Sequence, residues 1–310
     1  MRPGIGPGCG PDHRLGIAAG NEAAAPALRE PVDGERMNVI QAAMAEGRPT
    51  YGLWGAGPSS ASAEALGRGG LDWVLLDMQH GATSAGDLLP LIQAVELGGS
   101  SVVVRVTEND PGLIMRALDL GAIGVVVPMV STPEQARAAA EATRYPPHGT
   151  RSFGPVRRYY EAVSGQAPPT CLVMIETAEA LDAVDAIAAT PGVDGLFVGP
   201  VDLGLALGRG LAASARGDAV DAEIDLVVAA AQRHGLIAGV AGLGPDHAES
   251  LLARGARLVT VGSDVGYVVA GLARDARRTA DWTTRFARPP GDHDSAATPA
   301  AAPTDGGDAR

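Results

Sequence analysis

Eight short apolar runs recur along the chain with a helix-length stretch between most of them, and this alternation limits the possible folds more than any other feature. The runs fall at 51–54, 73–77, 102–105, 125–128, 171–176, 195–198, 237–240 and 258–261. Helical patterns at 86–97, 111–120, 133–143, 178–189, 219–234 and 246–253 separate most of them, several opened by Ser, Thr or Asp and closed by Gly. Strands that are apolar on both faces belong to a parallel sheet covered on both sides, and eight such units favour a closed (β/α)8 barrel over an open doubly wound sheet. No G-x-G-x-x-G follows the first run, so Gly55-Ala56-Gly57-Pro58 is read as a turn and not as a dinucleotide cradle. The fourth and sixth units are longer than the rest. Their extra residues, Arg144 to Pro155 and Gly199 to Gly204, are expected in loops that follow strands, on the face of the barrel that carries chemistry.

With 310 residues, 46% of them hydrophobic, the chain can bury one large core. No apolar run approaches the ~20 residues of a membrane span, and residues 1–36 have no continuous apolar segment of the kind a secretory signal needs. Residues 1–36 and 287–310 are rich in Gly, Pro and Ala and have little to bury, so both are expected to be disordered around a barrel over 37–286. Met37 opens the first amphipathic stretch and is a candidate start of translation. All 24 basic residues are Arg, against 36 acids, for a net charge of −12. Without a lysine there is no Schiff-base aldolase, pyridoxal-phosphate enzyme or Walker P-loop. The acidic balance argues against a nucleic-acid surface. Cys9 and Cys171 lie far apart in unlike contexts and are read as free thiols, which with the absence of a signal or span gives a cytoplasmic expectation.

A barrel interior is packed with branched apolar side chains, so a charge where a strand runs out belongs to the rim. The second run ends in Asp77-Met78-Gln79-His80, the third in Arg105 and the fifth in Glu176, and Asp202 follows the sixth. Each has a structural alternative, a solvated carboxylate or a salt bridge; delivered together to one rim, they point to a site. Glu176 and Asp202 offer two hard oxygen ligands without a nearby thiolate or second imidazole, which suits Mg²⁺ or Mn²⁺ better than structural zinc. Such an ion keeps about four positions for water and substrate, two of which a 2-oxo acid can fill. His80 suits proton movement near neutrality, with Asp77 spaced to hold its ring in one tautomer. Arg105 offers a rigid fork to an anionic oxygen, or pairs with Asp77 or Glu176. His148, His234 and His247 are read as surface residues.

With these residues assembled, the chain resembles the HpcH/HpaI aldolases, metal-dependent pyruvate aldolases that include enzymes for 4-hydroxy-2-oxoheptanedioate and 2-dehydro-3-deoxyglucarate. The likeness runs from about Tyr51 to Leu272. It rests on Gly70-Leu71-Asp72-Trp73 with Leu76-Asp77-Met78-Gln79-His80-Gly81, Val104-Arg105-Val106 with Asn109-Asp110-Pro111, Asp119-Leu120-Gly121-Ala122, Val127-Pro128-Met129-Val130, the Arg144 to Gly149 segment, Ile175-Glu176-Thr177, and Gly195 through Leu203. The resemblance implies that Glu176 and Asp202 bind the divalent ion (Mg²⁺ or Mn²⁺, with Co²⁺ a third option) and that Arg105 contacts the oxo-acid oxygens. It further implies that His80, supported by Asp77, moves a proton, that Asp119 orders the same network across a subunit contact, and that the backbone of Gly199, Pro200 and Val201 receives the substrate carboxylate. The implied fold is the phosphoenolpyruvate/pyruvate type of (β/α)8 TIM barrel, commonly a hexamer whose last helix packs on a neighbour. Here that helix would be the stretch around Val265 to Arg278, with Trp282 and Phe286 near the contact. The implied reaction is reversible cleavage of a 4-hydroxy-2-oxo acid to pyruvate and an aldehyde through a metal-stabilised enolate. Partners are then small molecules and a further copy of the chain, with no nucleic acid or membrane. Two positions depart from the usual pattern: Gln79 stands where many members have Glu, and Met174 where Gln is frequent. An oxo-acid decarboxylase or an acyl-CoA lyase of the malyl-CoA kind would use the same barrel. The CoA reaction calls for a basic docking surface that this acidic chain does not obviously offer. A catalytically silent barrel acting as a binding subunit is the third reading.

Overall fold

In the computed structural model, residues 37–157, 159 and 168–287 are described; the expectations for the two ends lie outside them. Eight strands, β1 (Thr50–Gly55), β2 (Trp73–Asp77), β3 (Ser101–Arg105), β4 (Gly124–Val127), β5 (Thr170–Ile175), β6 (Gly195–Val198), β7 (Ile237–Val240) and β8 (Leu258–Ser263), pair in chain order, and β8 closes on β1. Every pairing is parallel. This is the (β/α)8 barrel that the alternation implied, each strand lying within two residues of its expected ends.

The strand period of two divides the apolar residues into two layers. Trp73, Leu75, Val103, Val126, Leu172, Met174, Phe197, Ile237 and Leu258 fill the barrel interior. Val74, Leu76, Val102, Val104, Val125, Val127, Val173 and Val198 face outward into the helices. Burying a Val, Leu or Ile side chain contributes about 1.5–3 kcal/mol, so the two layers together hold the sheet from both sides. Room for the Trp73 ring comes from Gly52 on the neighbouring strand, where a Cβ would lie 2.2 Å from a ring carbon.

The helices start where the sequence carries caps. Asp110 and Thr132 accept N–H groups of the first turn, each followed by Pro, and Thr132 with Gln135 forms a reciprocal capping box. The stretch 178–189 is two short helices, Ala178–Asp182 and Val184–Ala188, broken at Ala183 so that Val184 and Ile187 are buried. A helix before β1, Val39–Ala45, closes the N-terminal mouth of the barrel. Asn38 caps it and donates to the Ile123 carbonyl (3.2 Å) and Thr170 Oγ1 (3.1 Å), while Ile40 joins the interior cluster.

The two long units differ in placement. The extra residues of the sixth unit follow β6, on the C-terminal side of the barrel as expected. Arg144 to Pro155 instead follows the helix Pro133–Thr143 and leads toward β5, which puts it at the N-terminal side, away from the strand exits. Unit length alone does not say on which side of the helix an insertion falls.

The last helix, Asp264–Arg285, is amphipathic and buries none of its residues. Val268, Val269 and Leu272 are 61%, 60% and 65% exposed. Among the described residues no helix is long and apolar enough to cross a membrane. Cys171 is fully buried, and burial pushes its thiol up to about 12, so it is an inert core residue.

Candidate active site

The inward register of the strands continues past the packed core and delivers Trp54, Asp77, Arg105 and Glu176 to the C-terminal mouth. Arg105 donates from Nε to Asp77 Oδ1 (2.8 Å) and from Nη2 to Asp77 Oδ2 (2.6 Å), a two-point pair in which both side chains are nearly inaccessible. The Trp54 indole N–H donates to Asp77 Oδ2 at 3.1 Å, and its ring lies 4.6 Å from the Arg105 guanidinium carbon. Burial on its own would raise the Asp77 carboxyl, but the Arg105 hydrogen bonds and charge, with help from Trp54 and the His80 N–H, hold it below the usual carboxylate value. Arg105 Nη1 is left without a protein partner among the described residues, and Arg105 lines the cavity.

Glu176, 2% exposed, accepts the Met129 N–H at 2.7 Å on Oε1. Met129 adopts a left-handed φ of 56°, unusual for a residue with a side chain. The other carboxylate oxygen, Oε2, lies 2.8 Å from where a Cβ on Gly199 would be, so only glycine fits beside it. Asp202 sits in the first turn of the helix Pro200–Ala206. Burial pushes Glu176 above the ordinary carboxylate value, and the charge of Asp202 adds to this, against the pull of the Met129 N–H and of Arg105. Glu176 thus sits in a place that disfavours its negative charge.

A cavity of about 510 Å³ opens over these residues. Trp54, His80, Arg105 and the run Gly199 to Asp202 line one part of it. Asp77 and Glu176 lie behind, and Asp77 reaches His80 through the backbone: its Oδ1 accepts the Gln79 N–H (3.0 Å) and the His80 N–H (3.3 Å), while the imidazole stays exposed. The tautomer-holding contact suggested by their spacing is therefore replaced by a contact that fixes the loop.

Asp119 is not brought to this cavity. It ends the helix Pro111–Asp119, at the N-terminal side of the barrel, and accepts Arg151 Nη2 at 2.8 Å. Nor is His247 a free surface residue. Its Nδ1 accepts the Leu243 N–H at 3.1 Å in the cavity-lining loop after β7, and its ring packs on Gly217, whose φ is +85°. Burial lowers its pKa, opposed by Asp221 and Asp218 and reinforced by Arg254. Sequence reasoning passed over Trp54, although an aromatic at a strand exit in the inward register was a legible signal. Met129 acts through its backbone and gave none.

The sequence profile described as HpcH/HpaI aldolase/citrate lyase matches residues 50–270. A hydroxypyruvate/pyruvate aldolase of Rhizorhabdus wittichii is 40% identical over 257 residues, 78% of this chain and 99% of that protein. A 2-dehydro-3,6-dideoxy-6-sulfogluconate aldolase of Pseudomonas putida is 40% identical over 70% of this chain and 88% of its own. Among solved structures, an HpcH/HpaI aldolase/citrate lyase family protein from Burkholderia cenocepacia superposes with a TM-score of 0.71 at 32% identity, covering 79% of this chain and all of the other. The inward-facing residues at the strand exits, the closed barrel and these likenesses agree, and the chain belongs to the HpcH/HpaI aldolase/citrate lyase family.

Proposed function

We propose that this protein is a pyruvate aldolase, a carbon–carbon lyase that reversibly cleaves a 4-hydroxy-2-oxo acid to pyruvate and an aldehyde. The observation that carries the reading is the convergence of a clamped Arg105 and the Glu176/Asp202 pair on one cavity, in a chain 40% identical to a hydroxypyruvate/pyruvate aldolase. Among the described residues no group of three or more His, Cys, Asp or Glu is gathered around a possible ion. Glu176 and Asp202 would then supply two carboxylate ligands, the remaining positions going to water and substrate. Their residue types fit a hard divalent cation that keeps open positions, Mg²⁺ or Mn²⁺ before Co²⁺, and such a cation would offset the burial and the Asp202 charge that raise Glu176. When bound, it supplies electrophilic pull on the substrate's keto oxygen, a task that lysine performs in Schiff-base enzymes and that this lysine-free chain must meet differently.

The chain's own residues do the rest. Asp77 and Trp54 lock the guanidinium of Arg105 so that its remaining face meets the oxo-acid oxygens without reorganising. The Gly199 cap has no side chain to occupy the N–H groups of the following turn, and the backbone of Gly199, Pro200 and Val201 takes the substrate carboxylate there. In cleavage the 4-hydroxyl proton is lost as the C3–C4 bond breaks; in addition a proton leaves the pyruvate methyl group and that carbon attacks the aldehyde. His80, which lines the cavity, takes part in this proton movement. Asp119, remote from the cavity of its own chain, serves that of a neighbour in a homo-oligomer, for which the uncovered face of the helix Asp264–Arg285 provides contact surface. A hexamer and a cytoplasmic location complete the reading.

The test is aldol cleavage over a panel of 4-hydroxy-2-oxo acids. Chelator should abolish turnover and Mg²⁺, Mn²⁺ or Co²⁺ restore it. Full activity in excess chelator, or a covalent adduct trapped by borohydride, would refute the proposal.

A further inference from the structure

Among the described residues Met129 is the one residue other than glycine with a left-handed backbone, its φ at 56°. It stands just past the end of β4, between the buried Pro128 and Val130, while its own side chain is 54% exposed. That side chain lines a surface groove with Thr107, Glu134 and Gln135 and not the cavity over Arg105. What the turn brings to the site is its N–H, which donates to Glu176 Oε1 at 2.7 Å. Two residues on, Ser131 Oγ and Thr177 Oγ1 share a hydrogen bond of 2.8 Å, so the loop after β4 is tied to the exit of β5 at two points. A residue with a side chain is strained in this region and persists there only where its surroundings over-determine it, as these two ties do.

The two oxygens of Glu176 are thereby made unequal. Oε1 is engaged by the N–H, whereas Oε2 faces Gly199, just ahead of the turn that carries Asp202. Among the described residues none donates to Oε2. The carboxylate is held in one orientation, with its free oxygen on the side of the second acid. Cations differ in what they draw from such a group. A small octahedral ion is satisfied by one oxygen from each carboxylate, whereas Ca²⁺ takes about six to eight oxygens and gains from a carboxylate that gives both. Two-oxygen binding at Glu176 has to compete with the Met129 N–H for Oε1.

We infer that Met129 is a positioning residue that sets the ion preference of this site: its left-handed backbone keeps Oε1 occupied, so that Glu176 offers one oxygen and the larger Ca²⁺ is disfavoured against Mg²⁺ or Mn²⁺. The inference rests on the reading of Glu176 and Asp202 as ligands and adds to it the residue that decides how one of them binds.

The experiment measures binding and not turnover. Mn²⁺ is titrated into the full chain by electron paramagnetic resonance and Ca²⁺ by its competition with Mn²⁺. The ratio of the Ca²⁺ to the Mn²⁺ dissociation constant is a quantity that a general loss of stability does not move. Met129→Gly takes the left-handed turn without steric cost and is expected to hold the ratio within about threefold. Met129→Val, whose branched side chain is driven out of that region, is expected to lower the ratio about tenfold, chiefly through weaker Mn²⁺ binding. Ser131→Ala removes the second tie, should move the ratio the same way, and carries the test if Met129→Val does not fold. An unchanged ratio in folded Met129→Val, or in Ser131→Ala where it carries the test, would overturn the inference alone, as would a fall in Met129→Gly as large as in Met129→Val. Mn²⁺ binding at full strength in Glu176→Ala would remove the ligand reading and this inference with it.

Discussion

A guanidinium as deeply buried as that of Arg105 requires a matching charge, and Asp77 meets it at two points while taking a third bond from Trp54. Breaking a buried pair by removing one partner costs about 3–5 kcal/mol, so Asp77→Asn should lower the melting temperature sharply. Because the folded-state pKa of Asp77 is depressed, its stabilising contribution is present above the unfolded value near 3.8 and lost as pH falls through the folded value. Asp77→Asn should therefore flatten the acid limb of the stability profile as well as lower its plateau; an unchanged slope in acid titrations followed by circular dichroism would count against this. Trp54→Phe is gentler. It keeps a ring over Arg105 but leaves Asp77 Oδ2 short of one donor, a loss of about 1–3 kcal/mol, and should raise KM for pyruvate more than it lowers kcat. Asp202→Ala and His80→Ala separate binding from proton movement. The first should lose metal affinity in calorimetry, while the second keeps metal and pyruvate binding but exchanges methyl protons slowly; equal loss of metal in both would disprove the assignment of roles.

Secondary structure explains why some of this was legible in the sequence and some was not. The strands of a sheet buried on both faces stand out as continuous apolar runs, and Asp77, Arg105 and Glu176 stand out as the charges that end them. Trp54 stands out less, since an aromatic ring in an apolar run looks like core until its inward register at the strand exit is counted. The inserted stretch Arg144 to Pro155 was assigned to the wrong side of the barrel because a long unit looks the same whether its extra residues come before or after the helix. His247 looked like a surface residue because both its contacts, Gly217 and the Leu243 N–H, come from the folded packing of separate segments. With its pKa lowered by burial, His247 contributes stability above the unfolded value near 6.5 that is lost as pH falls through the folded value. Protonation also removes the acceptor for Leu243, so His247→Gln should reduce the fall in melting temperature between pH 7 and pH 5. At the same scale, the exposed apolar face of the helix Asp264–Arg285 leads to a mass test. Light scattering should give about six times the 31.3 kDa of one chain, falling when the chain is cut before Val265. A fully active particle of single-chain mass would exclude the assembly.

At the scale of the whole molecule, the eight strands and the helices between them lie within residues 37–287. A chain trimmed to that span should keep its melting temperature, its assembly and its turnover; a large drop in melting temperature would show that one of the removed ends docks on the barrel. The helix Val39–Ala45, with Ile40 set into the barrel floor and Asn38 tied to Ile123 and Thr170, has a consequence for kinetics. Together with the side chains that fill the barrel interior, it leaves the cavity a single doorway. Arg105 stands deep behind that doorway, and Leu243 and Tyr267 stand near it. A molecule seated against Arg105 then arrives first and departs last, with its reaction partner queueing outside. Initial-rate patterns should show compulsory-order addition with pyruvate leading, and in cleavage the aldehyde should be released ahead of pyruvate.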